Sequence, residues 1–175
     1  MEQRRKIEVV AYNSRWPEYY MSERDVLRAI LGEEIIAIHH IGSTSIPGMM
    51  AKPIIDILIE VRAIEAIDDY NSQMQWAGYV VKGEYGIPGR RFFYKGQNAR
   101  THHVHAFNAG THDIKRHLNF RDYLINHPAM ASEYAELKKG LAVKFRFDID
   151  GYCDGKNDFI KNIESIACQA GGQKS

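Results

Sequence analysis

IIAIHHIGSTSIPGMMAKPIIDILIEV, residues 35 to 61, carries the signals on which the reading of this chain turns. Two apolar, isoleucine-rich runs of strand character flank a loop made of Gly42, Ser43, Thr44 and Ser45, which closes at Pro47 and Gly48. Glycine and small hydroxyl residues let backbone N–H groups crowd around an anion without side chains intruding. The second run then delivers Asp56, a hard oxygen ligand of the kind magnesium or manganese takes. A phosphate cradle followed by a carboxylate on a strand predicts a site for a nucleotide or another phosphorylated small molecule. An ordinary strand-to-helix connection, with one hydroxyl capping a short helix, produces the same local pattern.

Strand geometry narrows the site. Alternation puts Asp56, Leu58 and Glu60 on one face, with Asp56 and Glu60 about 13 Å apart along the strand. Ligands of one magnesium lie about 2.1 Å from the metal, so these two carboxylates cannot share an ion. Partners for Asp56 therefore come from a neighbouring strand. Thr101 to Phe107 (THHVHAF) supplies them: His103 and His105 share one face and His102 takes the other. Imidazoles about 6.6 Å apart at i and i+2 can converge on one site, and they suit manganese or zinc better than magnesium.

Around this centre the chain alternates helices and strands. Ser14 to Leu31 predicts an amphipathic helix with Pro17 in its first turn and Gly32 as its stop, preceded by a short apolar run at Ile7 to Tyr12. Ala63 to Ala77 predicts a second helix and Tyr79 to Lys82 a short strand. Gly83 to Gly89, with two further glycine or proline breaks, reads as a flap-like loop carrying Glu84, a candidate general base. Arg91 to Lys95 pairs with Thr101 to Phe107 as an antiparallel hairpin, Arg91, Phe93 and Lys95 facing away from Phe92 and Tyr94. Three helices complete the chain, over 113–126, 128–145 and 156–168, and the last residues, 171–175, read as a disordered tail. Lys52 and the Arg90-Arg91 pair are candidates for neutralising phosphate.

A length of 175 residues predicts one domain over residues 1–170. With 23 basic residues against 22 acidic ones, no bulk positive field points to nucleic acid or to an anionic membrane. Cys153 and Cys168 have neither metal-ligand spacing nor a disulfide framework, and the charged N-terminus lacks an apolar signal core. A cytoplasmic location is the expectation. There is no Gly-x-Ser-x-Gly elbow, no Walker phosphate loop and no Gly-x-Gly-x-x-Gly fingerprint, which disfavours a serine hydrolase, a P-loop kinase and a dinucleotide oxidoreductase.

HHIGSTSIPGMMAKPIIDI closely resembles the signature of the GrpB family. GRRFFYKG, RTHHVHAF, HLNFRDYLINHPAMASEYAELK and a closing stretch with Tyr152, Lys156 and Phe159-Ile160 fit the same resemblance. It implies an α/β fold of the α+β type: a nucleotidyltransferase-like mixed sheet flanked by helices, with a helical C-terminal third. In that wider superfamily a Gly-Ser pair precedes two acids one position apart on a strand, and a third acid stands on a neighbouring strand. Gly42, Ser43 and Asp56 match; the second acid falls at Leu58, and the third falls on the histidine strand. The favoured expectation is a nucleotidyl or phosphoryl transferase. Its divalent metal (magnesium or manganese, with zinc as a variant) is held by Asp56, His103 and His105, and its phosphates by residues 42–45 with Lys52 or Arg91. Catalytic roles would fall to Asp56, His105 and Glu84. A lapsed enzyme that binds a nucleotide or phosphometabolite is the rival, and a His/Asp metal phosphoesterase the third reading. Substrate and oligomeric state are not written in the sequence.

Overall fold

The computed structural model describes residues 5–172, with side chains to Gln169; Ser175 and its two neighbours, the end of the expected tail, lie outside the described residues. Among the described residues five α-helices surround one five-stranded sheet. Helix α1 (Trp16–Leu31) opens with Pro17 in its first turn and Glu18 near the helix N-terminus, and Gly32 returns its N–H to the Arg28 carbonyl. It leads into β1 (Ile35–Ile41), the Gly42 corner, and β2 (Ile55–Val61). Then come α2 (Asn71–Trp76), β3 (Tyr79–Val81), β4 (Arg91–Lys95) and β5 (His102–Asn108). Helices α3 (His112–Asn126), α4 (Pro128–Lys144) and α5 (Ile149–Gly172) form the C-terminal third.

The strands lie in the order β1-β2-β5-β4-β3, with β2 and β5 parallel and the other neighbours antiparallel. This is the mixed sheet flanked by helices that the sequence predicts. β2 is an interior strand with Ile57, Leu58 and Ile59 fully buried: Ile55, Ile57, Ile59 and Val61 fill one face, while the half-buried Asp56 and Glu60 flank Leu58 on the other. One face packs Ile57, Ile59, Phe93 and Val104 against Leu27 and Leu31 of α1 and Met74 of α2. The other face carries Ile41, Leu58 and Phe107 against Ile114 of α3. A third cluster joins Ile46 and Met49 to Leu124, Tyr134 and Ile163 of the C-terminal helices, and so ties the loop after β1 to the helical layer.

Three local expectations change. The helix predicted over 63–77 is a 3-10 stretch (Ile64–Tyr70) followed by the short α2. With three residues per turn the 3-10 stretch brings Ile64 and Ile67, both buried, onto one line facing the core. The last helix starts at Ile149 instead of Lys156, because Asp148 Oδ1 accepts the Gly151 N–H at 3.0 Å and caps the new first turn. It continues through residues 171 and 172, where the tail was expected to begin. Ile7 to Tyr12 contributes a single bridge, Val10 to Ala51. No helix among the described residues is long and apolar enough to cross a membrane.

Candidate functional site

The site begins at the corner after β1. Gly42 adopts φ +73° and ψ −175°, a region that is essentially glycine's alone. A side chain there would place its Cβ 2.7 Å from Asp56 Oδ2, so glycine is what allows the corner to lie against the carboxylate. Ser43–Ser45 follow as a 3-10 turn. Ser45 donates its hydroxyl to the Gly42 carbonyl. Thr44, buried, bonds His40 Nε2 at 2.9 Å and donates to the Ile54 carbonyl. Two of the three hydroxyls thus hold the loop itself together. The third, on Ser43, meets Lys138.

Lys138 reaches down from α4 with only 2 % of its surface exposed. Its Nζ donates to Ser43 Oγ at 2.8 Å and to the Met50 carbonyl, and it stands over the Tyr134 ring at 4.6 Å. Lys156 of α5 and Lys52 of the loop before β2 both lie over one ring, Tyr152, at 4.6 and 5.0 Å. The three lysines line a cleft of about 250 Å³ together with Ser43, Asp56 and His103. Burial pulls Lys138 down to about 7, helped by Lys156 and Lys52. Burial and then Lys156 take Lys52 to about 8. Burial also lowers Lys156. The lysine–carboxylate ion pairs among the described residues are Lys6–Glu8 and Lys95–Glu23; none involves the three cleft lysines.

Asp56 forms the floor. The parallel register of β2 and β5 sets it opposite His103, with Leu58 opposite His105. Its Oδ1 lies 3.3 Å from His105 Nε2 and 3.6 Å from His103 Nδ1. Burial alone would raise this carboxyl; hydrogen bonds from His103 and His105 outweigh burial and hold it well below the usual carboxylate range. On the far side of the ring, Arg90 NH1 approaches His105 Nδ1 at 3.3 Å. A guanidinium only donates, so Nδ1 accepts and Nε2 carries the hydrogen directed at Asp56. Burial keeps His105 below its ordinary value, and it drives the adjacent His117 to about 3. His40 falls to about 4 for the same reason.

This arrangement does not fit the expected metal set of Asp56, His103 and His105. Among the described residues no three His, Cys, Asp or Glu side chains are placed to hold a metal ion. His105 Nε2 donates a hydrogen bond where a ligand needs a lone pair. Glu60 is joined to His39 at 2.6 Å, and Leu58, where a second acid is expected, is sealed in the core. Two other expectations also change. Arg91 points to the opposite face of the sheet, where it grips Asp68 through two bonds of 2.8 and 3.2 Å. Glu84 sits at the surface, and its carboxylate accepts the Gly89 N–H of its own loop at 2.6 Å.

The sequence reading grouped Gly42, Ser43, Thr44, Lys52, Asp56, His103 and His105; in the structure Ser43, Thr44, Lys52, Asp56 and His103 line the one cleft, Gly42 abuts Asp56, and His105 bonds it. It missed Lys138 and Tyr134 as site residues, and gave Lys156 and Tyr152 no role. The available signal was positional: Lys138 closes the HLNF…ELK motif, and Tyr152 and Lys156 are four apart, on one helical face.

Comparison with known proteins supports the same frame. The chain belongs to the GrpB family: residues 6–165 match the family described as GrpB protein. The UPF0157 protein YqkA of Bacillus subtilis is 55 % identical over 164 residues, which is 94 % of this chain and 48 % of that protein, so the chain spans about half of YqkA's length. The crystal structure of conserved protein GrpB from Enterococcus faecalis shares the fold, with a TM-score of 0.90 at 43 % identity. The match covers 93 % of this chain and 98 % of that one. A more distant similarity, 24 % over 184 residues, covers 91 % of this chain and 45 % of a protein named dephospho-CoA kinase from Mycolicibacterium paratuberculosis.

Proposed function

We propose that the cleft binds a phosphorylated small molecule of nucleotide type, gripped by Lys52, Lys138, Lys156 and the Ser43 hydroxyl. One observation carries this reading: the buried Lys138 and the half-buried Lys52 and Lys156 line one cleft, and no ion pair among the described residues joins any of them to a carboxylate. Burying a charge is costly unless it is paired. A phosphate dianion supplies the missing charge and enough acceptor oxygens for several donors. The Gly42-Ser43 to Asp56 spacing adds the nucleotide character of the wider fold. Isothermal titration of the protein with orthophosphate, AMP and ATP tests the proposal. Binding of at least one, weakened about 10- to 100-fold by Lys138→Met or Lys156→Gln, is the expected result, since a charged hydrogen bond contributes about 1.5–3 kcal/mol. No binding to any of the three refutes it.

A second reading adds transfer chemistry, and its support is the distant match to a protein named as a kinase. Binding ranks ahead of it for two reasons. Leu58 removes the second acid of a two-metal site, and a carboxylate held as acidic as Asp56 is a poor proton acceptor. Nucleotide turnover that disappears in Asp56→Asn, with the fold intact, would establish the transferase reading over simple binding.

A further inference from the structure

The cleft does not end at Lys52. Lys52 and Ile54 also line a neighbouring cavity of about 390 Å³, so the two spaces adjoin across the Lys52 side chain. The second cavity is walled by Arg5, Lys6 and Arg100, with the polar side chains of Asn98 and Thr101 on the β4–β5 turn. Among its lining residues the one acid is Glu8, already tied to Lys6 at 2.6 Å. Arg100 is held in place rather than waving in solvent. Its guanidinium lies 3.8 Å above the centre of the Tyr94 ring, and its NH1 is 3.5 Å from His103 Nε2. Arg5 is partly buried, and its guanidinium is lowered by that burial and by repulsion from Arg100. Among the described residues neither guanidinium has a carboxylate within ion-pair distance. Two guanidiniums that repel each other across one cavity, with no acid between them, are the counterpart of a planar, multi-oxygen anion.

We infer that this cavity is a second anion subsite, and that the protein's ligand is a small molecule carrying two separated phosphate groups. One phosphate sits among Lys52, Lys138 and Lys156, the other between Arg5 and Arg100, and Lys52 touches both. This rests on the phosphate reading of the cleft. The joined volume lies in the range of small-molecule sites, which run from about 300 to 1,000 Å³. It therefore has room for a nucleoside-sized spacer between the two charges.

Titration calorimetry in phosphate-free buffer separates the two claims. The probes are orthophosphate, AMP with its single phosphate, and adenosine 3′,5′-bisphosphate with phosphates on either side of the ribose. The bisphosphate is expected to bind at least tenfold more tightly than AMP. Arg100→Ala, and independently Arg5→Ala near the chain start, are expected to erase that advantage while leaving AMP and orthophosphate affinity within twofold. Equal affinity of AMP and the bisphosphate overturns the second subsite and leaves the cleft reading standing. Arginine variants that weaken AMP as much as the bisphosphate overturn it too. Absence of binding by all three probes overturns the cleft reading itself.

Discussion

Lys138→Met is the most informative single change, because it should strengthen the fold while destroying the site. The ammonium group is held at about 7 against an ordinary value of 10.5, chiefly by burial. At about 1.4 kcal/mol per pH unit, keeping it charged at pH 6 costs the folded state about 4–5 kcal/mol relative to the unfolded chain. Methionine fills a similar shape without a charge, so that cost disappears. Offsetting it, the Met50 carbonyl and the Ser43 hydroxyl each lose a donor, a loss of about 1–3 kcal/mol in buried surroundings. The net expectation in phosphate-free buffer at pH 6 is a gain of about 2 kcal/mol, or a Tm about 4–8 °C higher for a chain of this size. The pH dependence fixes the sign. Between about 7 and 10.5 the unfolded chain binds this proton and the folded one has released it, so the natural protein gains stability as pH rises through that window. The advantage of the variant therefore shrinks and vanishes near pH 9. Thermal melts of both proteins at pH 6, 7.5 and 9 read all of this directly. A variant that is less stable at pH 6, by a margin that does not change with pH, refutes the claim that a strained charge is stored there.

Three further outcomes follow from the same geometry. Gly42→Ala should cost about 2–4 kcal/mol in urea unfolding, combining a glycine-only backbone conformation with the 2.7 Å approach to Asp56 Oδ2; a change under 0.5 kcal/mol would remove the argument. Sulfate keeps a constant charge between pH 6 and 9, so its affinity should fall by about 100-fold over that span as Lys138 loses its proton, and further as Lys52, held at about 8, follows; a flat profile would show that neither lysine needs its charge. Arg91→Ala should leave phosphate affinity unchanged and cost less than about 1 kcal/mol, because its partner Asp68 is half exposed on the far face; a tenfold loss of affinity would contradict that placement.

Much of the fold was legible because it is written locally. Period-two alternation in THHVHAF and PIIDILIEV specified which residues share a face, and the register of β2 with β5 then joined Asp56 to His103 and His105. The same alternation grouped Arg91 with Phe93 and Lys95, a face that turns out to be the α1 side of the sheet; the expectation that Arg91 would meet phosphate set that grouping aside. The lysines were harder. Nothing in the spacing of residues 43 and 138 relates them, and a lysine on an amphipathic helix reads as solvent-facing until the packing of that helix is known. The fit of the expected metal set turned on a subtler point: which ring nitrogen of His105 is free depends on Arg90, which reaches it from the neighbouring strand's approach loop.

The parallel pairing of β2 with β5 also has a kinetic meaning. The β4–β5 hairpin can form from nearby residues, but seating it beside β2 closes a far longer loop, which is slow to bring together. The cluster of lysines needs two helices that leave the ribosome later still. A growing chain therefore has its sheet acids and imidazoles in hand before any of the α4 and α5 cations arrive. The phosphate affinity proposed for the cleft would appear only after Lys156 has been made and packed, so in a pulse-labelling experiment it would mark a late step of folding.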